Sequence, residues 1–314
     1  RDIGNVFTVQ QVFGGETFRV VDVAYQQSLL DARVEIRVGR IAAGDDFLVS
    51  PYNYVFVQNA FDGNPVSVFL NAPGMTAYPN ATWGALVKGR PTPRMYLMGG
   101  VYNGDPSIRS DHHHGLDWSM HGPVFAIGEV GYQLNGLPGD AGLLGNYKAG
   151  LWYDHSEYLD FTTVGLGSSP QLNRGNWGFY GLADQVLVRF GELGSYRGFG
   201  VTGSLLISPD QSVSQMPYFF TAGLLVRGAF PSRPTDVGGL GVASGYFSND
   251  LKDSQRRMQL GVQEHETALE LTYRFRFLGA ALFLQPDLQY IIRPAGTDQI
   301  SDAFVGGLQA GINF

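Results

Sequence analysis

The chain has 314 residues, of which 44% are hydrophobic, 13% aromatic and 16% charged, with 43 glycines and no cysteine. The charged fraction is well below the roughly 25% typical of soluble domains. The lack of cysteine excludes a disulfide scaffold, a Cys-ligated zinc site and thiol catalysis. The net charge of −7 argues against nucleic acid as a partner, because such a partner requires a basic face.

No apolar run in the sequence approaches the roughly 20 residues of a transmembrane helix, but a transmembrane strand needs only about 10. Alternation of apolar and polar residues predicts thirteen strands, with short connections such as 277–280 alternating with long ones such as Ser248–Glu264. In chain order the predicted strands lie near Thr17–Gln26, Val34–Ile41, Thr82–Gly89, Met95–Tyr102, Val124–Leu134, Asn146–His155, Trp177–Phe190, Gly198–Ser208, Tyr218–Phe230, Val237–Phe247, Thr267–Leu278, Ala281–Pro294 and Phe304–Phe314.

The run ALELTYRFRF at 268–277 shows this alternation most clearly. Leu269 and Leu271 share one face of the predicted strand, and Glu270, Thr272 and Arg274 share the other. Across the chain the polar faces carry mostly Gln, Asn, Thr and Gly, while aromatic residues recur near the strand ends, as in an interfacial girdle. The sequence therefore predicts an all-β fold, a transmembrane antiparallel β-barrel, rather than a soluble sandwich.

The segment Gly44–Asn80 interrupts the series of strands and is rich in Phe, Tyr, Pro and Asn. A connection of this length is usually functional or disordered, and its aromatic residues argue against disorder. Two interpretations remain open from the residues alone. The segment either folds into the interior of the barrel or forms an ordered loop outside it.

The histidines His112, His113 and His114, followed by His121, invite comparison with a metal site. Adjacent residues cannot all point at one ion, so we expect no metal centre here. No nucleophile–base arrangement such as a GxSxG elbow accompanies the Ser and His residues. We therefore expect neither an enzyme nor a cofactor.

Several runs are similar to one family: RVEIRVGRIAAGDDF, AGLLVRGAFPSRPTDVGGLGVASGYFSND, ETALELTYRFRF, LQPDLQYIIRPAG and the closing GGLQAGINF. In combination they resemble the carbohydrate-selective porin (OprB) family over essentially the whole chain. The resemblance implies a sixteen-stranded barrel of the outer-membrane porin type, which passes glucose and related sugars into the periplasm of a bacterium. The closing Phe314 also resembles an outer-membrane assembly signal.

Family members begin with about three further strands before the stretch that resembles residues 1–15. The resemblance therefore implies that this chain is truncated or processed, and that the natural barrel has strands upstream of Arg1 or another polypeptide covers the gap. An odd number of antiparallel strands also predicts that the first and last strands are not paired with each other, because they would run in the same direction.

The resemblance further implies a charged constriction narrowed by an in-folded loop. Glu35 and Arg37 have inward parity directly before the segment 44–80, and Asp45 and Asp46 begin it, so these four are the first candidates for the constriction. Such charges could instead pair across the interior and stiffen the wall. We expect these residues both to line the constriction and to stiffen the wall. Further inward candidates are Asp22, Gln26, Glu270, Arg274, Arg276, Gln285, Asp287 and Gln289.

Three other interpretations compete with a sugar pore. The first is a structural or anchoring barrel within a larger envelope assembly, with Ile3–Val12 as a plug. The others are a soluble β-sandwich lectin and an outer-membrane barrel enzyme. The partners expected of the porin are a monosaccharide such as glucose, outer-membrane lipid, and either further copies of the chain or another envelope protein.

Overall fold

In the computed structural model, which describes residues 3–11, 18–105, 114–115, 118–192 and 194–313, the chain forms one antiparallel sheet. Thirteen strands occur in these residues, and neighbours in the chain are neighbours in the sheet. They are β1 Val23–Leu29, β2 Val34–Ile41, β3 Thr82–Thr92, β4 Met95–Asn103, β5 Val124–Leu134, β6 Gly145–Leu159, β7 Leu172–Arg189, β8 Gly198–Ile207, β9 Tyr218–Arg227, β10 Val237–Tyr246, β11 His265–Phe277, β12 Leu282–Ile292 and β13 Ala303–Ile312.

Most strands lie where the alternation predicts them, and β2 and β5 have the predicted bounds. The start of β1 was predicted too early, because the strand begins at Val23 and Asp22 precedes it. Before β1 the described backbone does not pair with β2: the Val20 amide donates to the His114 carbonyl (2.9 Å), and the Val20 carbonyl accepts from the Arg40 side chain (3.2 Å). The predicted features at Val12, Thr17, His112, His113 and Phe314 lie outside the described residues.

The connections differ in length between the two ends of the sheet. At one end β1–β2, β3–β4 and β11–β12 are joined by residues 30–33, 93–94 and 278–281. At the other end β2–β3 and β10–β11 are joined by residues 42–81 and 247–264. This is the asymmetry of outer-membrane barrels, which have short periplasmic turns and long extracellular loops.

The longer connections contain two α-helices, α1 Ser67–Asn71 and α2 Asn249–Arg257. The predicted long polar connection at Ser248–Glu264 is present, and it contains α2, which the sequence analysis did not predict. Ser248 caps α2 by accepting hydrogen bonds from the amides of residues 250 and 251, and Arg257 in its last turn donates to the Val164 and Phe161 carbonyls (2.8 Å each). In the described part of the chain, no helix is both long and apolar enough to span a bilayer.

The two faces of the sheet differ in polarity and in what covers them. One face, here called the outer face, carries exposed apolar side chains. It includes Leu151, Leu205, Leu224, Leu240, Leu271 and Leu288, which are 46–63% exposed. The opposite, inner face is covered by residues 3–11 and 44–80. Phe47, Phe56 and Phe61 of the long loop are buried there in one core with Phe125 and Trp152 of the strands.

β1 and β13 are the two edges of the sheet, each paired with a single neighbour. No pairing joins them to each other in the residues that the structure describes. This agrees with the expectation drawn from the odd number of strands.

Candidate functional site

Buried carboxylates on the inner face bind the backbone of the 44–80 segment. Glu270 of β11 accepts hydrogen bonds from the amides of residues 57 and 58 (2.8 and 2.9 Å). Glu129 of β5 accepts from the Leu48 amide (3.0 Å), and Asp154 of β6 accepts from the Gly74 amide (2.6 Å). The three carboxylates are at most 4% exposed. These hydrogen bonds fasten the segment at three separated points.

Other inward side chains bind the same segment between those points. Lys148 of β6 donates to the Val49 carbonyl (2.6 Å), and Asp184 of β7 accepts from the Ser50 hydroxyl (2.8 Å). Gln285 of β12 and Arg274 of β11 donate to the carbonyls of residues 55 and 54 (2.7 Å each). The segment therefore runs across the inner face from β5 to β12.

Residues 3–11 lie on the inner face beside this segment. The amides of Val6 and Phe7 donate to the Glu266 carboxylate (2.8 and 2.7 Å), and Gln289 donates to the carbonyl of residue 9 (2.7 Å). Gln58 of the long segment donates to the Phe7 carbonyl (2.7 Å). The two segments thus form one hydrogen-bonded unit in the interior.

Three of the four first candidates meet where β2 passes into the long segment. Arg37 forms an ion pair and a hydrogen bond with Asp46, and both side chains remain partly exposed. Asp45 ends the short 3₁₀ turn that follows β2, and its carboxylate interacts electrostatically with Arg37. Glu35, one inward position away on β2, accepts a hydrogen bond from Gln26 (3.0 Å).

The electrostatics of this junction follow from partial burial beside a fixed cation. Burial raises the pKa of the Asp45 carboxyl above its ordinary value, and it does the same for Asp46. Arg37 opposes the shift at both residues, because a positive charge favours the ionised form. The junction therefore combines two acceptor groups and one donor group in a site that is only partly hydrated.

The remaining candidates fall into two groups. Four are at most 4% exposed: Glu270, Gln285, Asp287 and Gln289. Of these, all but Asp287 bond directly to the interior segments, and Asp287 accepts from Gln289 (2.8 Å). Four others keep accessible surface: Asp22, Gln26, Arg274 and Arg276. Of the accessible group, Arg274 also bonds to the interior segment, through the carbonyl of residue 54 (2.7 Å).

The sequence analysis missed several inward residues that bind the interior segments, among them Glu129, Lys148, Asp154, Asp184 and Glu266. Glu129 has the most partners of these. Besides the Leu48 amide it accepts from the hydroxyls of Tyr96 (2.5 Å) and Tyr180 (2.9 Å), and the Lys148 ammonium is 3.9 Å away. A signal existed in the sequence, because Glu129 is a lone carboxylate in the middle of a predicted strand. Its partners on β4, β6 and β7 could not be identified from the alternation.

An antiparallel sheet with an apolar outer face, a polar inner face and a loop fastened across the interior is the architecture of outer-membrane porins. The model of the carbohydrate-selective porin, OprB family, matches residues 1–314, and the chain belongs to this family. It is thus a carbohydrate-selective porin, a channel protein of the outer membrane of Gram-negative bacteria.

Relatives of known sequence and structure agree with this assignment. The chain is 27% identical over 329 residues to Porin B of Pseudomonas aeruginosa, covering 98% of this chain and 70% of that protein. It is 25% identical over 334 residues to the putative porin QuiX of Acinetobacter baylyi, covering 97% and 71%. It superposes on the high-pH structure of Pseudomonas putida OprB with a TM-score of 0.88 and 25% identity, covering 99% and 77%.

Proposed function

We propose that this protein conducts glucose and related monosaccharides through a constriction that Glu35, Arg37, Asp45 and Asp46 line. The observation that carries the proposal is the Arg37–Asp46 ion pair, which joins the wall of the sheet to the interior segment. Both of its side chains are partly exposed, so a passing solute can exchange hydrogen bonds with them.

The chemistry of this junction suits a polyhydroxylated solute. Carboxylates accept hydrogen bonds from sugar hydroxyls, and a guanidinium donates to them, so together they replace the hydration shell that the sugar loses. Conduction also requires that binding be weak enough for release. The junction meets this requirement because the charges already pair with each other and compete with the solute for hydrogen bonds.

The other inward residues have different roles according to whether they are exposed or buried. Asp22, Gln26, Arg274 and Arg276 extend the polar lining above and below the constriction. Glu270, Gln285, Asp287 and Gln289 hold the segments 3–11 and 44–80, either directly or through each other, and do not contact the sugar. On this proposal the segment 44–80 is the loop that narrows the pore, and the exposed outer face contacts lipid.

A second function, an anchoring barrel with a plugged interior, is favoured by one observation. Residues 3–11 are bonded to Glu266, Gln289 and the long segment, and they occupy the interior as a plug would. Single-channel recording in planar bilayers separates the two functions. Glucose-dependent block of a steady ion current supports the sugar pore, whereas a protein that inserts correctly and conducts no ions supports the plugged barrel.

A further inference from the structure

Tyr102 of β4 packs on the inner face against two glycines, Gly84 and Gly100, whose lack of side chains leaves room for its ring. A Cβ atom at Gly84 would lie 2.4 Å from the tyrosine ring, and one at Gly100 would lie 2.8 Å from the hydroxyl oxygen. The ring therefore lies flat along the wall, with the hydroxyl over Gly100. Phe47 and Phe125 pack against the ring, with centroids 6.5 and 6.2 Å away, and Tyr102 is 3% exposed.

The register of the sheet brings the Tyr102 hydroxyl to the level of the constriction. Arg37 on β2 pairs with Leu86 on β3, and Leu86 pairs with Gly100 on β4. Gly100 and Arg37 are thus at the same height on the wall, two strands apart. Tyr102 also packs against Phe47, which directly follows Asp46 in the chain.

Two polar groups at this height have no hydrogen-bond partner in the described part of the chain. One is the Tyr102 hydroxyl and the other is the Arg37 Nε–H, and both atoms are buried. The Arg37–Asp46 pair uses a terminal guanidinium nitrogen and leaves Nε free. Buried polar groups are nearly always satisfied, if not by protein then by an ordered water or a ligand.

From this geometry we infer that Tyr102 is a positioning residue of the constriction, which holds Arg37 in place through one oxygen atom shared by its hydroxyl and Arg37 Nε. The oxygen belongs either to a buried water molecule or to a hydroxyl of the passing sugar, since each can accept two such hydrogen bonds. The inference rests on the proposed sugar pore, whose selectivity then depends on a residue outside the charged set.

The test is the half-saturating glucose concentration for block of the ion current, measured for the wild type, Tyr102→Phe, Arg37→Gln and the double variant. Tyr102→Phe removes only the hydroxyl and should raise that concentration roughly three- to tenfold, the equilibrium worth of one hydrogen bond. Because Tyr102 and Arg37 share one oxygen, the same change made in Arg37→Gln should have a smaller effect than it has in the wild type. Tyr290→Phe, at an exposed tyrosine of β12 whose hydroxyl donates to Asp302 (3.0 Å), is the control and should leave glucose block unchanged.

Monodeoxyglucoses identify the source of the oxygen. If the sugar supplies it, one deoxyglucose binds the wild type more weakly than glucose does, and Tyr102→Phe reduces that difference because only the Arg37 Nε donor remains. If water supplies it, the loss in Tyr102→Phe is the same for every sugar. Either result supports the inference. Unchanged block in Tyr102→Phe, or a loss that adds fully to that of Arg37→Gln, overturns it. A wild type that glucose does not block refutes the proposed function instead.

Discussion

Replacing Glu270 by Gln tests whether buried carboxylates hold the interior segment in place. The side chain keeps its size and one carbonyl oxygen, but it loses the charge and one of two acceptor oxygens. The amides of Val57 and Gln58 now bond to those two oxygens at 2.8 and 2.9 Å. In the variant one amide would face an NH₂ group, so both donors would be buried without an acceptor.

The magnitude follows from the burial of the site. Glu270 is 1% exposed, so water cannot replace the lost acceptor. A buried donor left without its acceptor costs about 1–3 kcal/mol. This loss lowers the free energy of local opening at residues 57 and 58 rather than that of global unfolding, because the strands remain paired. Amide hydrogen exchange at these residues should therefore speed up on the order of ten- to a hundredfold.

Hydrogen exchange with peptide resolution, on the protein in detergent micelles, measures this local opening. Asp287→Asn is the matched control, since Asp287 is also an inward carboxylate at 4% exposure but bonds to Gln289 rather than to the segment. Exchange at residues 57 and 58 should stay near the wild-type rate in the control. Unchanged exchange in Glu270→Gln, or equal acceleration in both variants, would refute the reasoning.

Three further predictions concern selectivity, pH and the outer face. The double variant Glu35→Ala/Arg37→Ala should raise general solute flux and lower discrimination between sugars and other uncharged solutes of equal size, in swelling assays; unchanged discrimination would make these residues wall struts. Burial raises the pKa of Asp62 to about 7. The contribution of Asp62 to stability is therefore complete below its ordinary pKa near 3.8 and is lost as the pH rises through about 7. Asp62→Asn should reduce the fall of the denaturation midpoint between these pH values, and an unaltered pH profile would contradict this. Leu271→Arg should cost about 2–4 kcal/mol in lipid, whereas Leu278→Arg in a turn should cost about 0–1; equal unfolding free energies for the two variants would contradict the lipid-facing assignment of Leu271.

The strands were predictable from the sequence wherever one face is apolar and the other polar over a full strand. β2 and β5 have the predicted bounds for this reason. The start of β1 was not predictable, because residues 18–20 alternate in the same way but bond to the His114 segment. Helix α2 was missed because its polar sequence has no apolar stripe, and the Ser248 cap and the contacts of Arg257 stabilise it instead.

The candidate site was predictable in part for the same reason. Alternation identifies which residues of a strand face inward, but it does not tell which of them a folded-in segment covers. The alternation places both Glu270 and Arg37 on the inward face of their strands. Glu270 is nevertheless buried under residues 57 and 58, whereas Arg37 is partly exposed. Glu129 meets Leu48 across 81 positions of the chain, and no local pattern encodes a contact of that separation.

The central claim, that this porin selects sugars at a constriction between β2 and the interior segment, is tested most directly by liposome swelling. The purified protein is reconstituted and challenged with glucose, a disaccharide and an uncharged solute of the size of glucose, with empty liposomes as the blank. The account predicts fast swelling in glucose, slower swelling in the size-matched solute and the slowest in the disaccharide. Equal rates for glucose and the size-matched solute, or rates no higher than the blank, would contradict it.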